Sequence, residues 1–348
     1  MAVFKIFPSK DAFLNSQFPT ANTGKDEILE IANYKDSSKN QQLSRAVVEF
    51  STEELQRVAF VVAEGAFIEA SLDLYLANAS EIPTELTLQS ALLTKSWENG
   101  TGKFDDNPAN RTGVSWLFSK GNEQDQWDSA GGDFDTGSIV SQSFLLNSSL
   151  DVKLDVSEQI KSIISGSINN NGFIVKLSDQ DEQRSDVNLT LRYFSVDTNS
   201  IFPPQLSIKW DDSVYNTGSL EVLDDIAPTI TLRNNKSIYF TNEIVRFRLS
   251  PRPTFPIRRF TTASIYNDIF ALPEGSTWAL KDEGSEELVI DFDSNYTKIS
   301  CDDKGPYIDI FMAGLQPERY YRLLFKTVQD SSLKVVDNTN LFKIKRYV

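Results

Sequence analysis

The chain has 348 residues, 40% hydrophobic and 11% aromatic, which is enough for two domains with ordinary cores. Its 34 Lys and Arg face 49 Asp and Glu, and the net charge of −15 argues against nucleic acid or an anionic membrane as partner. There is no histidine and one cysteine, Cys301, which excludes Ser-His-Asp, Cys-His and His-ligated zinc chemistry and any intrachain disulfide.

Met1-Ala-Val-Phe-Lys-Ile-Phe-Pro8 has neither a basic start nor a long apolar stretch, so no signal peptide is expected. No apolar run approaches the roughly 20 residues that cross a bilayer. The expected setting is therefore a reducing cytosol. Alternation dominates the first hundred residues. Ala46-Val-Val-Glu-Phe50, Ser71-Leu-Asp-Leu-Tyr-Leu76 and Leu86-Thr-Leu-Gln-Ser90 read as short strands separated by Gly, Asn, Asp, Ser and Pro. Leu72, Leu74 and Leu76 fall on one face of their strand. Ser51-Thr-Glu-Glu-Leu-Gln-Arg57 opens with a capping residue and early acids, and reads as one short helical turn.

From Trp97 to Thr136 the chain is loop-like, with Asn99-Gly-Thr-Gly102 and Ala130-Gly-Gly-Asp-Phe-Asp135. A connection of that length is functional or partly structured. Asp155 to Gly166 predicts the best helix: Val156, Ile160, Ile163 and Ile164 form a stripe, Ser157 can cap and Gly166 can terminate. Val187-Asn-Leu-Thr-Leu-Arg-Tyr193 and Gln205-Leu-Ser-Ile-Lys-Trp210 complete the first set of strands.

Residues 211–226 lack a strand pattern and are expected to be a linker. A second β domain is expected over 227–348. Its strands are read at Ala227-Pro-Thr-Ile-Thr-Leu232, Glu243 to Leu249, Glu287 to Phe292, Tyr307 to Phe311, Tyr320 to Lys326 and Phe342 to Val348. Its length and about seven strands suit an immunoglobulin-like sandwich. Asp302-Asp-Lys-Gly305 reads as a hairpin turn. The expected fold is all-β: a jelly-roll β-sandwich over 1–210, then an immunoglobulin-like β-sandwich.

Seven motifs in order carry a family resemblance over about 1–210. They are Asp11-Ala-Phe-Leu with Asn22-Thr-Gly24, Ser44-Arg-Ala-Val-Val-Glu-Phe50, Leu72-Asp-Leu-Tyr-Leu76, Ser96-Trp-Glu-Asn-Gly-Thr-Gly102, Gly113-Val-Ser-Trp116, Leu154 to Gly166 with Asn171-Gly-Phe-Ile-Val-Lys176, and Phe202-Pro-Pro-Gln-Leu-Ser-Ile208. This region resembles the DNRLRE domain family, a jelly roll like carbohydrate-binding modules. The resemblance implies a non-catalytic module of a polysaccharide-active protein or of a phage virion. With the second β domain and the acidic, Asn-rich character, the chain looks like a structural protein of a tailed phage, a marine or cyanophage myovirus among them. It would fold in the host cytoplasm, join the virion at the neck, tail, baseplate or capsid surface, and contact other virion proteins in many copies. The alternative is a module attaching to a cell-surface or capsule glycan.

Several residues have two readings. Trp97, Trp116 and Trp127 would stack on sugar rings or anchor core and loop, with Trp127 the more exposed among polar neighbours. Asp105, Asp106, Asp133 and Asp135 would hold a structural calcium or cap turns. Glu98 with Asp105 or Asp133 could be posed as a glycosidase pair, against a background of many acids, and no catalytic residue and no cofactor is expected. Arg246, Arg248, Arg252, Arg258 and Arg259 form a basic concentration that would meet an acidic neighbouring subunit or simply line an exposed strand.

Overall fold

The computed structural model describes residues 2–62, 68–121, 124–145, 148–223, 228–233, 235–255, 269–329 and 332–347. It is all-β and divides into two compact bodies. The first comprises Ile6–Val61 and Ile68–Ile208; the second comprises Lys209–Val348 together with the chain's first residues and a short piece between the two parts of the first body.

In chain order the elements up to the boundary are β1 (Ala2–Ile6), β2 (Pro8–Asn15), β3 (Ile28–Lys35), β4 (Gln41–Phe50), α1 (Thr52–Val61), β5 (Ile68–Leu74), β6 (Leu76–Ser80), β7 (Glu85–Leu92), β8 (Val140–Leu145), β9 (Val152–Asp155), α2 (Ser157–Ile164), β10 (Phe173–Leu177), α3 (Asp179–Glu182), β11 (Leu189–Phe194) and β12 (Gln205–Trp210). One sheet of the jelly-roll sandwich runs β6-β11-β3-β4-β10-β7-β8, with β2 also pairing β4; the other holds β12, β5 and β9. The strand expected over 71–76 is two strands. The chain leaves one sheet after Leu74 and enters the other at Leu76, so Leu72 and Leu74 are buried whereas Leu76 is half-buried.

Ala46-Val-Val48 is buried at every position, not alternately. The reason is that this sheet is covered on both faces, which strands register as a continuous apolar run. Val47 and Ile174 sit with Ala12, Leu14 and Ala91 under the irregular segment 93–139, which contributes Leu93 to the same cluster, while Ala46, Val48, Phe173 and Val175 point the other way. Helix α2 packs on β5 with Ile160 and Ile163 buried. Ser157 does not cap it: Val156 is the N-cap and makes no side-chain bond. The Ser157 hydroxyl instead accepts from the Ala70 amide at 2.9 Å and so ties the helix to its strand.

The second body is an immunoglobulin-like sandwich made from β13 (Glu221–Val222), β14 (Thr229–Arg233), β15 (Ile238–Phe240), β16 (Ile244–Arg252), β17 (Phe270–Ala271), β18 (Thr277–Asp282), β19 (Leu288–Ile290), β20 (Ser300–Asp302), β21 (Gly305–Phe311), β22 (Tyr320–Gln329) and β23 (Ser332–Lys345). Sheet β14-β16-β21-β20 faces sheet β15-β23-β22-β18-β19. Phe247, Leu249 and Ile308 from the first meet Trp278, Tyr321, Phe325 and Phe342 from the second in one core. Asp302 to Gly305 is the hairpin between β20 and β21, with the Lys304 amide donating to the Asp302 carboxylate.

The segment expected to be a linker is bound into this second body as far as it is described. The Tyr215 hydroxyl donates to Leu272 O at 2.7 Å, the amides of Asn216 and Cys301 donate to Cys301 O and Val214 O, and β13 pairs in parallel with β17. These are mostly backbone bonds, so side-chain periodicity carries no sign of them.

Candidate functional site

The irregular segment 93–139 covers the outer face of the large sheet in the first body. It is held by reciprocal amide contacts between two of the sequence motifs. Asn22 donates from its side chain to Asn99 O and Val114 O, both at 2.8 Å, and accepts from the Gly102 amide; Asn99 donates to Gly24 O at 2.7 Å. Gly100 and Gly113 stand back to back at φ +77° and +92°, where a side chain on either would strike backbone. Backbone groups that a loop would leave to water are thereby paired.

The tryptophans serve this cover. Trp97 is 2% exposed and donates its indole N–H to Asn171 O; Trp127, expected to be the exposed aromatic, is 5% exposed and donates to Ser115 O. Both lie in the core under the loop. Trp116 is half-buried, with the Arg45 guanidinium 5.2 Å from its ring centre. No open three-tryptophan platform exists.

Trp116 and the half-buried Phe134 flank a row of charge. Lys176, 2% exposed, donates to Glu182 at 3.2 Å, Asp179 at 2.5 Å and Leu177 O at 3.1 Å. Arg45 clasps Glu182 with two bonds of 2.8 Å and donates to Gly131 O. All three Lys176 donors are used, which lets an ammonium stay buried. Asp179 is held below the ordinary carboxylate range by its bond with Lys176.

The four aspartates considered for calcium serve different turns. Asp133 accepts from the Asp128 and Ser129 amides, Asp135 from Gly137, and Asp106 from Lys103, while Asp105 is exposed. Among the described residues no three His, Cys, Asp or Glu converge as metal ligands, so these residues do not fit a calcium site. Glu98 is exposed, and its backbone, not its carboxylate, is engaged: its amide donates to Ser119 O.

Two of the five arginines read as a basic concentration, Arg246 and Arg248, are consumed internally. Arg246 makes a two-bond pair with Asp309 at 2.8 and 2.7 Å, and Arg248 does the same with Asp302 at 2.5 and 2.7 Å. Both guanidiniums also lie over Tyr307, at 4.1 and 4.8 Å from its ring centre. The face is a neutralised ladder rather than a basic patch. Arg252 is exposed; Arg258 and Arg259 lie outside the described residues.

Sequence reasoning missed the outer side of β15, β23 and β22. Ile238, Lys343 and Tyr320 are in register across the three strands, and Phe240 pairs Lys345. Because Tyr239, Phe342 and Tyr321 point into the core, these neighbours point out. Ile238 is 42% exposed, Phe240 41%, Tyr320 55% and Tyr347 66%. Phe240 and Tyr347 meet edge to face, Lys343 lies over Tyr320, and Glu318 pairs Lys343 at 2.7 Å. Lys236 and Arg346 are exposed alongside, with no ion pair among the described residues, and the half-buried Lys345 has none either. The signal was present: Lys343, Lys345 and Tyr347 share one parity in a segment read only as a closing strand.

Asp11 is buried at 1% exposure with its carboxylate accepting from the Val196 amide at 2.7 Å. Desolvation raises its pKa from 3.8 to about 7, against the pull of that bond. A raised pKa means stability that is full below the unfolded value and lost as pH rises through about 7. Asp11→Asn keeps an acceptor for Val196. In urea titrations at about pH 5 and pH 8, the wild type is expected to lose up to about 3 kcal/mol across the interval, because part of the loss is already complete by pH 5, and the variant much less. Equal losses would refute the assignment.

No family model and no curated protein matches the chain. Solved structures similar to it include a DUF4785 family protein from Legionella pneumophila, at 12% identity and TM-score 0.16, covering 96% of this chain and 65% of that one. Botulinum neurotoxin type C, whose cell entry is described as dependent upon interaction with two ganglioside molecules, gives 10% identity and TM-score 0.17, covering 96% and 67%. The binding domain of botulinum neurotoxin DC in complex with SialylT gives 11% and 0.16, covering 96% and 68%. The chain thus spans about two thirds of these proteins' lengths, and similarity at this level leaves function to be argued from the surface itself.

Proposed function

We propose that the chain is a non-enzymatic structural protein of a tailed-phage virion, at the neck, tail, baseplate or capsid surface, that works through contacts with other virion proteins. The observation that carries the contact role is the outward row of Ile238, Phe240, Tyr320 and Tyr347 set among lysines on the second sandwich. Aromatics exposed together on a sheet face are enriched at the centre of contact surfaces, and the lysines around them suit its polar rim. The virion assignment is supported by the family resemblance of the first sandwich. Quantitative mass spectrometry of purified particles tests it: the chain is expected in many copies per particle, and its absence from particles would end this reading.

The second reading, attachment to a glycan, is supported by the half-buried Trp116 and Phe134 beside the Arg45–Glu182–Lys176 row. A glycan array probed with the full chain tests it, and a blank array removes it. Trp127→Ala is a poor probe here, because Trp127 is buried and its loss reports on folding.

A further inference from the structure

The charge of the chain is divided unequally between its two bodies. Ile6–Val61 with Ile68–Ile208 hold 15 Lys and Arg against 28 Asp and Glu, a net of −13; the remainder holds 19 against 21, a net of −2. On that nearly neutral second body, the aromatic row carries four cations, Lys236, Lys343, Lys345 and Arg346, against two carboxylates, Glu318 bound to Lys343 and Glu243 accepting from the Phe240 amide. The first body instead presents exposed carboxylates such as Asp105, Asp106, Asp128 and Asp135.

We infer that the basic aromatic face of the second sandwich docks onto the acidic first sandwich of another copy of this chain, head to tail. Opposite potentials draw the two unlike surfaces together, whereas two basic faces or two acidic bodies repel. A face meeting a different face makes a heterologous contact, which continues into a ring or a filament rather than stopping at a pair. Phe240 and Tyr347 supply the apolar anchor, and Lys345 and Arg346, which make no close ion pair among the described residues although both feel the Glu318 carboxylate that Lys343 binds, supply the attraction. The inference rests on the reading of the chain as a contact protein and adds its partner.

Sedimentation velocity on the full chain tests it. Association that grows with protein concentration is expected at about 20 mM salt and is expected to weaken at least tenfold near 500 mM, where screening acts within a few ångströms. Lys345→Glu with Arg346→Glu is expected to weaken it at least tenfold at low salt, and Tyr347→Ala to weaken it without changing the salt dependence. All three positions are at least partly open to solvent, and an unchanged thermal melt confirms that the variants fold. The milder Lys345→Gln with Arg346→Gln serves if the reversal does not. A chain that stays monomeric at low salt, association that strengthens with salt, or association indifferent to the charge reversal would each overturn the inference. None of these outcomes bears on whether the protein is found in particles, so the two readings fail separately.

Discussion

Gly113→Ala is expected to destabilise the first sandwich by about 2–5 kcal/mol. A Cβ at Gly113 would lie 2.4 Å from Gly100 Cα and 2.5 Å from Gly100 N, both backbone atoms that cannot swing aside. The position also sits at φ +92°, which costs an L-residue about 1–2 kcal/mol before any clash is counted. Overpacking adds about 1–3 kcal/mol. Gly166→Ala is the control. Its φ is +74°, yet nothing lies within 4 Å of the added carbon, so only the conformational cost of about 1–2 kcal/mol is expected. Chemical denaturation of the two variants separates strain from collision. Equal losses would mean that the Gly100–Gly113 contact does not hold the loop.

Glu182→Ala should be about as damaging, at about 3–5 kcal/mol, because it strands the buried Lys176 and the largely buried Arg45 at once. Arg45 loses both of its 2.8 Å bonds and Lys176 loses its 3.2 Å partner, at a carboxylate only 8% exposed. Lys176→Met should cost clearly less. Glu182 keeps its grip on Arg45, and the side chain of Asp179, 74% exposed, returns to water. If the lysine variant proves the more damaging in denaturant titrations, the ordering of this network is wrong. Because Arg45 also reaches Gly131 O and lies over Trp116, the glutamate variant should disturb the Trp116 fluorescence as well.

The sandwich class was legible because strands announce themselves through side-chain period. Leu72 with Leu74, and Phe247 with Leu249, are buried as the alternation requires. Direction within irregular backbone has no such period. Trp127 stands among Gln124, Asp125, Gln126 and Asp128 and reads as exposed, yet the loop turns it alone inward to Ser115. The arginine ladder was illegible for another reason. Asp309 and Asp302 lie more than fifty residues beyond Arg246 and Arg248, and only the antiparallel register of β16 with β21, and of β21 with β20, brings them alongside. Cross-strand neighbours decide whether a charge is free, and sequence distance does not reveal them. Of the basic aromatic face, only the parity of Lys343, Lys345 and Tyr347 shows in the sequence; Ile238, Phe240 and Tyr320 join them only through the register of β15, β23 and β22.

The most direct test of the account is hydroxyl-radical footprinting of Tyr320 and Tyr347 in the free chain and in the assembled state. Both phenols stand open in the isolated molecule, at 55% and 66% exposure. Assembly is predicted to protect both strongly. Unaltered labelling of the two tyrosines on assembly would contradict the claim that this protein works through the outer face of its second sandwich.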